Sequence, residues 1–457
     1  MLEDRCEKMK SVVSLFSGCG GLDLGFKEHG FDLAYACDID PAAVDCYARN
    51  IDRRVFLRDV TSCEFHTDIA AIGSCDVVLG GFPCQGFSKA GPKNVSDTRN
   101  ALYMEMRNAI AKLRPHLFIA ENVDGLSQNF AGAYLERVLK DFKEIGYEVQ
   151  YRILDAAAFG LAQHRRRIFF VGVRQPLAHI FQWPLPTHEV KIRNGEFKVP
   201  EQSIEQLPLF QLGSNNSIPA LDKTRTIKDA IADLVELNEC IPDHHVTNDW
   251  PKKYEAVFNA IKQGQKLCNV RHASTSVYTW EIPEVFGEVK HRERIILETI
   301  SKYRRHKKYG DIPNGNPLPV DEIERRSGLS EVKTEIASLI SKGYLKEKDG
   351  KYDLKGAMFC SGLFKRPVWD EPSPTVLTNF HNPRYFLHPL EDRPFSLREC
   401  ARLQGFPDTF VFTCSDSKVD LVSGYRLVGN AVPPPLSRLF AAAALQFLVH
   451  RSESQVA

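Results

Sequence analysis

The chain has 457 residues, of which 43% are hydrophobic and 26% are charged, and its formal net charge is +1. That length is too great for one compact core, so we expect an ordinary globular protein of two domains. The near-neutral balance excludes a global basic signal for nucleic acid, although a local basic patch could still supply one.

Cysteine use and hydropathy indicate the compartment. The twelve cysteines are scattered and form no C-x-x-C pair, which argues against a zinc site and favours a reducing environment. Residues 1–10 carry too many charges for a signal peptide, and the longest apolar run, residues 439–449, is too short to span a membrane. We therefore expect a cytoplasmic protein without membrane contact and without a metal.

The chain begins with a pattern that is typical of ligand-binding α/β folds. Residues 11–16 form a predicted strand, residues 17–25 a glycine-rich turn, and a helix is expected to end near Gly30. This order is found where α/β proteins bind nucleotide-like ligands. The spacing G-x-G-G differs from the dinucleotide fingerprint, which argues against NAD.

Acidic residues follow the next two predicted strands. Residues 32–37 lead to Asp38, where an acid would hold the hydroxyl pair of a ribose. The alternative role is that of a helix N-cap, which Asp40 fits better. Asp59 follows the strand at residues 55–57 and could accept a hydrogen bond from an adenine amino group.

A cysteine follows the fourth predicted strand. The apolar run at residues 76–79 indicates a buried strand, and Pro83 fixes the backbone immediately before Cys84. A cysteine on a stiff turn at a strand end is well placed to be a nucleophile. For an arbitrary cysteine a buried structural role is the better interpretation, but the neighbouring glycines and the rest of the chain reverse that preference.

The remainder of the first half alternates strands with helices. Strands are predicted at residues 116–120, 147–154 and 167–173, and a helix at residues 135–145. This alternation predicts an α/β fold with a doubly wound mixed sheet and with functional groups at the carboxyl ends of its strands. Glu121 lies at such an end.

Six motifs occur in the order that is found in one enzyme family. They are residues 16–21, 83–85, 121–123, 163–167, 398–407 and 429–432. Together they resemble the motif series of the C5-cytosine DNA methyltransferases, over about residues 11–187 and 363–447. The departures at Ala162, where proline is usual, and at Val428, where isoleucine is usual, touch no chemistry.

The resemblance implies S-adenosylmethionine as methyl donor and double-stranded DNA as substrate. It implies catalytic roles for Cys84 as nucleophile, for Glu121 as the carboxyl at N3 of cytosine, and for Arg165 near the flipped base. The implied cofactor-binding residues are Phe16, Ser17, Gly18, Cys19, Gly20, Gly21, Asp38, Ile39, Asp59, Val60, Pro83, Leu102, Asn430 and Ala431. The implied DNA-binding residues are Gln85, Ser88, Gln163 and Arg167, of which Arg167 is the phosphate-side or structural partner of Arg165.

The resemblance also divides the chain. It implies a catalytic S-adenosylmethionine-binding domain, Rossmann-like in fold, at residues 1–187 plus 429–457. A smaller target-recognition domain is expected at residues 188–428.

A winged-helix-like insert is predicted within the second domain. Residues 287–356 show the order helix, helix, turn, helix and hairpin, and residues 302–308 give the first helix a basic end. Glu331 and Glu335 on the third helix argue against simple groove reading, and an interaction module is the alternative.

We therefore expect a monomeric, nucleoid-associated DNA (cytosine-5-)-methyltransferase that acts beside a restriction endonuclease. A tRNA cytosine-5 methyltransferase is the alternative enzyme, although that branch usually lacks so long a recognition region. A catalytically silent DNA-binding regulator is the alternative from another class, and the presence of Cys84, Glu121 and Arg165 argues against it.

Overall fold

The structure is a computed structural model that describes residues 9–83, 102–127, 130–175, 181–191, 197–198, 221–236, 241–245, 250–269, 274–312, 315–355, 362–413 and 419–454. Contacts divide the chain into two compact units. The first unit contains Met1–His244, Asp370–Thr378 and Leu397–Ala457, and the second contains His245–Trp369 and Asn379–Ser396.

A seven-stranded sheet forms the centre of the first unit. Its strands are β1 (Ser11–Leu15), β2 (Asp32–Asp38), β3 (Val55–Leu57), β4 (Val77–Gly80), β5 (Leu117–Val123), β6 (Tyr147–Asp155) and β7 (Arg166–Arg174). Their order across the sheet is β3-β2-β1-β4-β5-β7-β6. Strands β1 to β5 are parallel, and β7 runs antiparallel to both of its neighbours. Apolar runs suit these strands because a largely parallel sheet is buried on both faces.

Helices connect these strands, and a short hairpin follows them. The helices are α1 (Asp23–Glu28), α2 (Pro41–Asn50), α3 (Cys63–Ile72), α4 (Leu102–Leu113), α5 (Phe130–Glu144) and α6 (Ile227–Glu236), and the hairpin strands are β8 (Val190–Lys191) and β9 (Phe197–Lys198). The mixed, parallel-dominated α/β architecture that the sequence predicts is confirmed.

The second unit is built from short helices and small sheets. In chain order its elements are α7 (Lys252–Ala260), β10 (Lys266–Leu267), β11 (Ser276–Val277), α8 (Pro283–Phe286), α9 (His291–Tyr303), β12 (Leu318–Pro319), α10 (Val320–Ser327), α11 (Lys333–Lys342), β13 (Leu345–Lys348) and β14 (Lys351–Leu354). Strands β12, β14 and β13 form one antiparallel sheet, and apolar side chains of α9, α10 and α11 pack in a core with it.

Three helices then complete the first unit. They are α12 (Leu397–Leu403), α13 (Leu421–Asn430) and α14 (Pro434–Ser454). The Phe440 ring of α14 stacks on Phe169 of β7 with centroids 4.6 Å apart, and the Ser437 hydroxyl accepts a hydrogen bond from Gly25 N–H at 3.0 Å. The C-terminal helix therefore packs against the central sheet of the first unit.

The lengths and hydropathies of the described helices show whether any of them could span a membrane. No single helix there is long and apolar enough to cross a bilayer, and the bent pair of α13 and α14 passes only when its two helices are taken together.

The basic end of α9 differs from its prediction. The helix stops at Tyr303, and the Arg304 guanidinium is buried against Asp353 of β14, with Nε 2.7 Å and Nη2 2.8 Å from its two carboxylate oxygens. Lys308 pairs with Glu322 at 2.8 Å. The charges of Arg304 and Lys308 are therefore neutralised within the unit, whereas Arg305 and Lys307 are exposed.

The division of the chain also differs from the predicted boundaries. Residues 188–244, 370–378 and 397–428 belong to the compact first unit, although the sequence assigned them to the second domain. The physical reason is a set of hydrogen bonds to the residues that precede β7. His188 N–H donates to Ala158 O, Gln163 donates to Leu403 O, and Arg165 donates to Val376 O.

Candidate active site

The carboxyl ends of β1 to β5 lie along one edge of the sheet, because these strands are parallel and paired in register. After β1 the chain turns sharply, and Phe16, Gly18 and Gly20 have φ of 54°, 55° and 90°. Ser17 N–H donates to Cys37 O and Gly20 N–H donates to Ser17 O, both at 3.0 Å. A positive φ is strained for phenylalanine, so the surrounding hydrogen bonds hold this turn in an unusual conformation.

Asp38 ends β2 and contacts the glycine-rich turn. Its carboxylate accepts hydrogen bonds from Gly18 N–H at 2.8 Å and from Asp40 N–H at 2.9 Å. Burial raises the pKa of Asp38, and these backbone donors oppose the shift. Asp40 caps α2 by accepting from Ala42 N–H, and it pairs with Arg426. The prediction that Asp40 is the better N-cap is confirmed.

Ile39, Asp59 and Val60 lie next along the same edge. Ile39 is 67% exposed, whereas Val60 is buried. The Asp59 carboxylate accepts from Thr61 N–H at 2.9 Å and from the Thr61 hydroxyl at 2.8 Å, and these bonds lower its pKa. An exposed apolar side chain near two strand-end carboxylates suits a flat ligand ring with hydrogen-bonding groups at its rim.

The segment after β4 approaches Glu121. Gly80 pairs with Ala120 in the parallel register of β4 and β5. A Cβ atom at Gly81 would lie 3.6 Å from Glu121 Oε2, so the backbone here passes close to that carboxylate. Pro83 is the last described residue of this segment. Cys84, Gln85 and Ser88 lie outside the described residues.

Glu121 is paired with Arg167. Arg167 Nε lies 2.9 Å from Glu121 Oε1, and both side chains are mostly buried. Burial raises the pKa of Glu121, while the charges of Arg167 and Arg165 oppose that shift. The result is a carboxyl whose affinity for a proton exceeds that of an ordinary glutamate.

Arg165 occupies a different position from the one that the sequence suggested. Its side chain is 1% exposed, and its guanidinium donates to Val376 O at 3.1 Å, Gly429 O at 2.9 Å and Ala431 O at 3.0 Å. Burial lowers the pKa of Arg165. The guanidinium of Arg165 is thus held by backbone carbonyls, and Arg167 is the arginine that contacts Glu121.

Gln163 is also fully buried, which opposes the expected contact with DNA. Its amide nitrogen donates to Leu403 O at 3.0 Å and to Gln404 Oε1 at 2.8 Å, and its amide oxygen accepts from Val376 N–H at 2.8 Å. Both ends of the amide are therefore occupied inside the first unit.

The C-terminal motif closes against the glycine-rich turn. A Cβ atom at Gly21 would lie 2.4 Å from Val432 O, and one at Gly429 would lie 2.6 Å from Thr378 N, so both close approaches require glycine. Ala431 is buried beside this turn, while Asn430 is exposed at the end of α13. Cys19 is buried in the same turn, and Leu102 packs at the edge of the core under β4.

Sequence reasoning missed the role of Asn122. Its side-chain amide donates to Phe82 O at 2.8 Å and so fixes the segment that precedes Pro83. The available signal was its place directly after Glu121 in a motif. Within the described ranges no group of three His, Cys, Asp or Glu side chains could hold a metal ion.

A strained glycine-rich turn, strand-end acids and a buried carboxyl–arginine pair thus lie along one edge of the mixed sheet, which is the edge where α/β proteins bind their ligands. The chain belongs to the C-5 cytosine-specific DNA methylase family, whose model matches residues 10–445.

Similar proteins span nearly the whole chain. Type II methyltransferase M.HgiCI of Herpetosiphon aurantiacus is 30% identical over 94% of this chain and 96% of its own length. Type II methyltransferase M.BanI of Aneurinibacillus aneurinilyticus is 28% identical, with 92% of each chain covered. A crystal structure described as a prophage-encoded DNA modification methyltransferase of E. coli shares the fold, with a TM-score of 0.50, 22% identity and coverage of 96% of this chain and 99% of that one.

The contact between Arg167 and Glu121 makes a testable prediction. Arg167→Gln should raise the pKa of Glu121, because the arginine charge opposes the upward shift caused by burial. A carbon-13 titration of glutamate-labelled protein, assigned with Glu121→Gln, measures this pKa. Arg166→Gln is the matched control, since Arg166 is exposed and lies 3.8 Å from Asp124. An unchanged or lower pKa in Arg167→Gln would contradict the assignment.

Proposed function

We propose that this protein transfers a methyl group from S-adenosylmethionine to C5 of a flipped cytosine in a specific duplex DNA sequence, through a covalent bond between Cys84 and C6. The observation that carries the proposal is the Glu121–Arg167 pair, which lies against the segment that leads through Pro83 to Cys84. Family membership supports the same reaction.

The chemistry explains why a thiol and a raised carboxyl pKa belong together. Cytosine C5 is a weak nucleophile, and addition of the Cys84 thiolate to C6 moves electron density onto C5 and N3. A protonated Glu121 carboxyl donates a hydrogen bond to N3 as that charge develops. Transfer of the methyl group to C5 leaves the donor as a neutral thioether. A base such as water then takes the C5 proton, and the C6–S bond breaks, which restores the ring and releases the Cys84 thiolate.

The methyl donor fits the part of the sheet edge that lies at the ends of β1 and β2. S-adenosylmethionine would supply an electrophilic methyl group on a sulfonium. Phe16 would pack on the adenine ring, and the turn at residues 18–21 would approach the methionine portion. Asp38 would bind the ribose hydroxyls, and Ile39 would cover the ring. The strained turn, the buried Asp38 carboxylate and the exposed Ile39 side chain support this arrangement.

Arg167 is the arginine that we assign to the reacting base. It holds one oxygen of Glu121 and retains further donors on its guanidinium, which presents five N–H groups in all. The target base must leave the duplex to reach Cys84, as in other enzymes that act on a base within DNA.

The relatives support a role in host DNA modification. M.HgiCI and M.BanI are named Type II methyltransferases and align with nearly the whole of this chain. We infer that this protein protects a specific DNA sequence beside a cognate restriction endonuclease.

We also infer that residues 287–356 form a winged-helix subdomain of the target-recognition region. The order α9, β12, α10, α11 and the hairpin of β13 and β14 supports this inference. At the hairpin tip, Asp349 and Gly350 have φ of 53° and 69°, as a tight two-residue turn requires.

Replacing Cys84 with serine should reduce methyl transfer by several orders of magnitude and leave S-adenosylmethionine binding intact, because serine is a much weaker nucleophile. The measurement is transfer of a labelled methyl group to duplex DNA, with tRNA as a parallel substrate, and donor affinity by calorimetry. The control is Cys63→Ser, which alters an exposed cysteine on α3. Near-normal turnover in Cys84→Ser would overturn the covalent mechanism, and transfer to tRNA alone would overturn the choice of substrate.

Asp38→Ala should weaken donor binding about 10- to 100-fold, since hydrogen bonds to a charged group contribute roughly 1.5–3 kcal/mol. The DNA affinity in the absence of donor should stay near that of the wild type. Calorimetry with S-adenosylmethionine and DNA binding by anisotropy measure the two quantities. Asp45→Ala, on α2 and paired with Arg49, is the control. An unchanged donor affinity in Asp38→Ala would remove this residue from the pocket.

Arg305→Ala combined with Lys307→Ala should weaken DNA binding at all sequences alike and make its salt dependence shallower by up to about 2, because fewer counterions are released. The methylated sequence should stay the same, since phosphate contacts position the protein without reading bases. The control removes Arg294 and Arg325, which pair with Glu298 and Glu322. Equal salt slopes in the test variant and the wild type would show that this surface does not contact DNA.

A further inference from the structure

Three backbone segments of the second unit lie side by side and bring cations together. Leu267 N–H donates to Leu363 O at 2.8 Å, which places β10 beside the segment that contains Lys365. Phe364 N–H donates to Arg384 O at 2.7 Å, and Lys365 N–H donates to Tyr385 O at 3.1 Å. Lys266, Lys365 and Arg384 therefore lie on neighbouring segments, and we call these three residues the cation cluster.

The side chains of the cation cluster are held by apolar and small neighbours. Lys365 Nζ lies 5.1 Å from the centre of the Phe386 ring. A Cβ atom at Gly362 would lie 2.7 Å from Lys266 Cδ, so the lysine stem covers this glycine. Phe386 is itself fixed by stacking on Phe380, with ring centroids 4.3 Å apart. These contacts hold the two ammonium groups in defined positions.

The two lysines repel one another. Burial lowers the pKa of Lys365 first, and the nearby charge of Lys266 lowers it further. Both side chains are partly buried, and Arg384 is exposed. The repulsion between the positive charges of the cation cluster destabilises the free protein. An anion bound there would relieve that repulsion, so the cluster favours anion binding.

Counter-charges are missing at this cluster although they are present elsewhere in the unit. Arg304 pairs with Asp353, Lys342 with Glu293, and Arg366 with Asp392. Across the described part of the chain, by contrast, no carboxylate lies within 4.0 Å of the side-chain nitrogens of Lys266, Lys365 or Arg384, which is the ion-pair distance. The cluster is therefore one place where this unit offers unpaired positive charge to an external partner.

We propose that Lys266, Lys365 and Arg384 bind the phosphodiester backbone of the DNA substrate. The proposal rests on the proposed DNA methyltransferase function and adds the surface that orients the duplex on the second unit. Phosphates supply the negative charge that the cluster lacks, and their release of counterions on binding favours the complex. These contacts carry no sequence information and so act as positioning contacts.

The test compares two variants that remove the same charge from the same unit. The first is Lys266→Gln, Lys365→Gln and Arg384→Gln combined. The control is Lys252→Gln, Lys253→Gln and Lys262→Gln combined, which alters exposed lysines on α7 and just beyond it. DNA affinity is measured for wild type and both variants from 50 to 200 mM salt, and thermal unfolding verifies that each protein is folded.

We expect the cluster variant to bind duplex DNA about 10- to 100-fold more weakly at low salt, with a salt slope reduced by roughly 2 to 3. The control should change that slope by less than about 1. A third variant, Lys266→Arg with Lys365→Arg, retains the charge and should restore most of the affinity, which separates loss of charge from loss of folding.

A cluster variant with the slope of the wild type, or equal losses in the cluster variant and the control, would overturn the proposal. Methylation of DNA by the wild-type protein is scored in the same preparations. If the wild type methylates DNA and the slopes are equal, the cluster assignment alone fails. If the wild type transfers no methyl group to DNA, the proposed function fails instead.

Discussion

The first unit depends on one buried cation, the guanidinium of Arg165. It donates to carbonyl oxygens of Val376, Gly429 and Ala431, which come from two segments far along the chain. Backbone carbonyl oxygens carry partial negative charge and do not titrate. They therefore compensate the positive charge of Arg165 without an ionisable partner in contact with it. Loss of this side chain would remove the donor to the buried carbonyls of Val376 and Gly429, at a cost of about 1–3 kcal/mol each, whereas Ala431 O also accepts a hydrogen bond from the Gln404 amide. The same contacts return both segments to the sheet after the intervening second unit.

Fixing Arg165 in this way leaves Arg167 to determine the electrostatics at Glu121. Two opposite unit charges 4 Å apart attract each other by on the order of 4 kcal/mol at an effective dielectric constant of 20. The pKa of Glu121 is nevertheless raised, so desolvation exceeds the attraction of Arg167 and Arg165 together. The consequence is a carboxyl that can hold a proton while its orientation is fixed by a permanently charged neighbour. An exposed glutamate beside the same arginine would stay ionised and could only accept hydrogen bonds.

The sequence predicted the sheet well because its strands are apolar runs with turn residues and acids at their ends. The N-cap at Asp40 and the acid at Asp38 followed from local spacing. The roles of Arg165 and Arg167 did not, because residues two apart on a strand point to the same face and only the neighbouring segments distinguish them. The carbonyls of Val376, Gly429 and Ala431 provide that distinction, and Arg165 lies more than two hundred residues before them. Cys84 was identified by its motif alone.

The positively charged surface of the second unit could not be predicted from the sequence either, because it depends on contacts between distant segments. The most conspicuous basic run, residues 302–308, is partly neutralised by Asp353 and Glu322, which approach from separate elements. Lys266, Lys365 and Arg384 form no run in the sequence, yet backbone pairing gathers them without a carboxylate among the described residues. The basic run in the sequence therefore overestimates the positive surface charge at residues 302–308. The lack of such a run hides the positive surface at the cation cluster. A polyanion such as DNA contacts only the positive charges that are left without an ion pair inside the protein. Which charges these are depends on the fold.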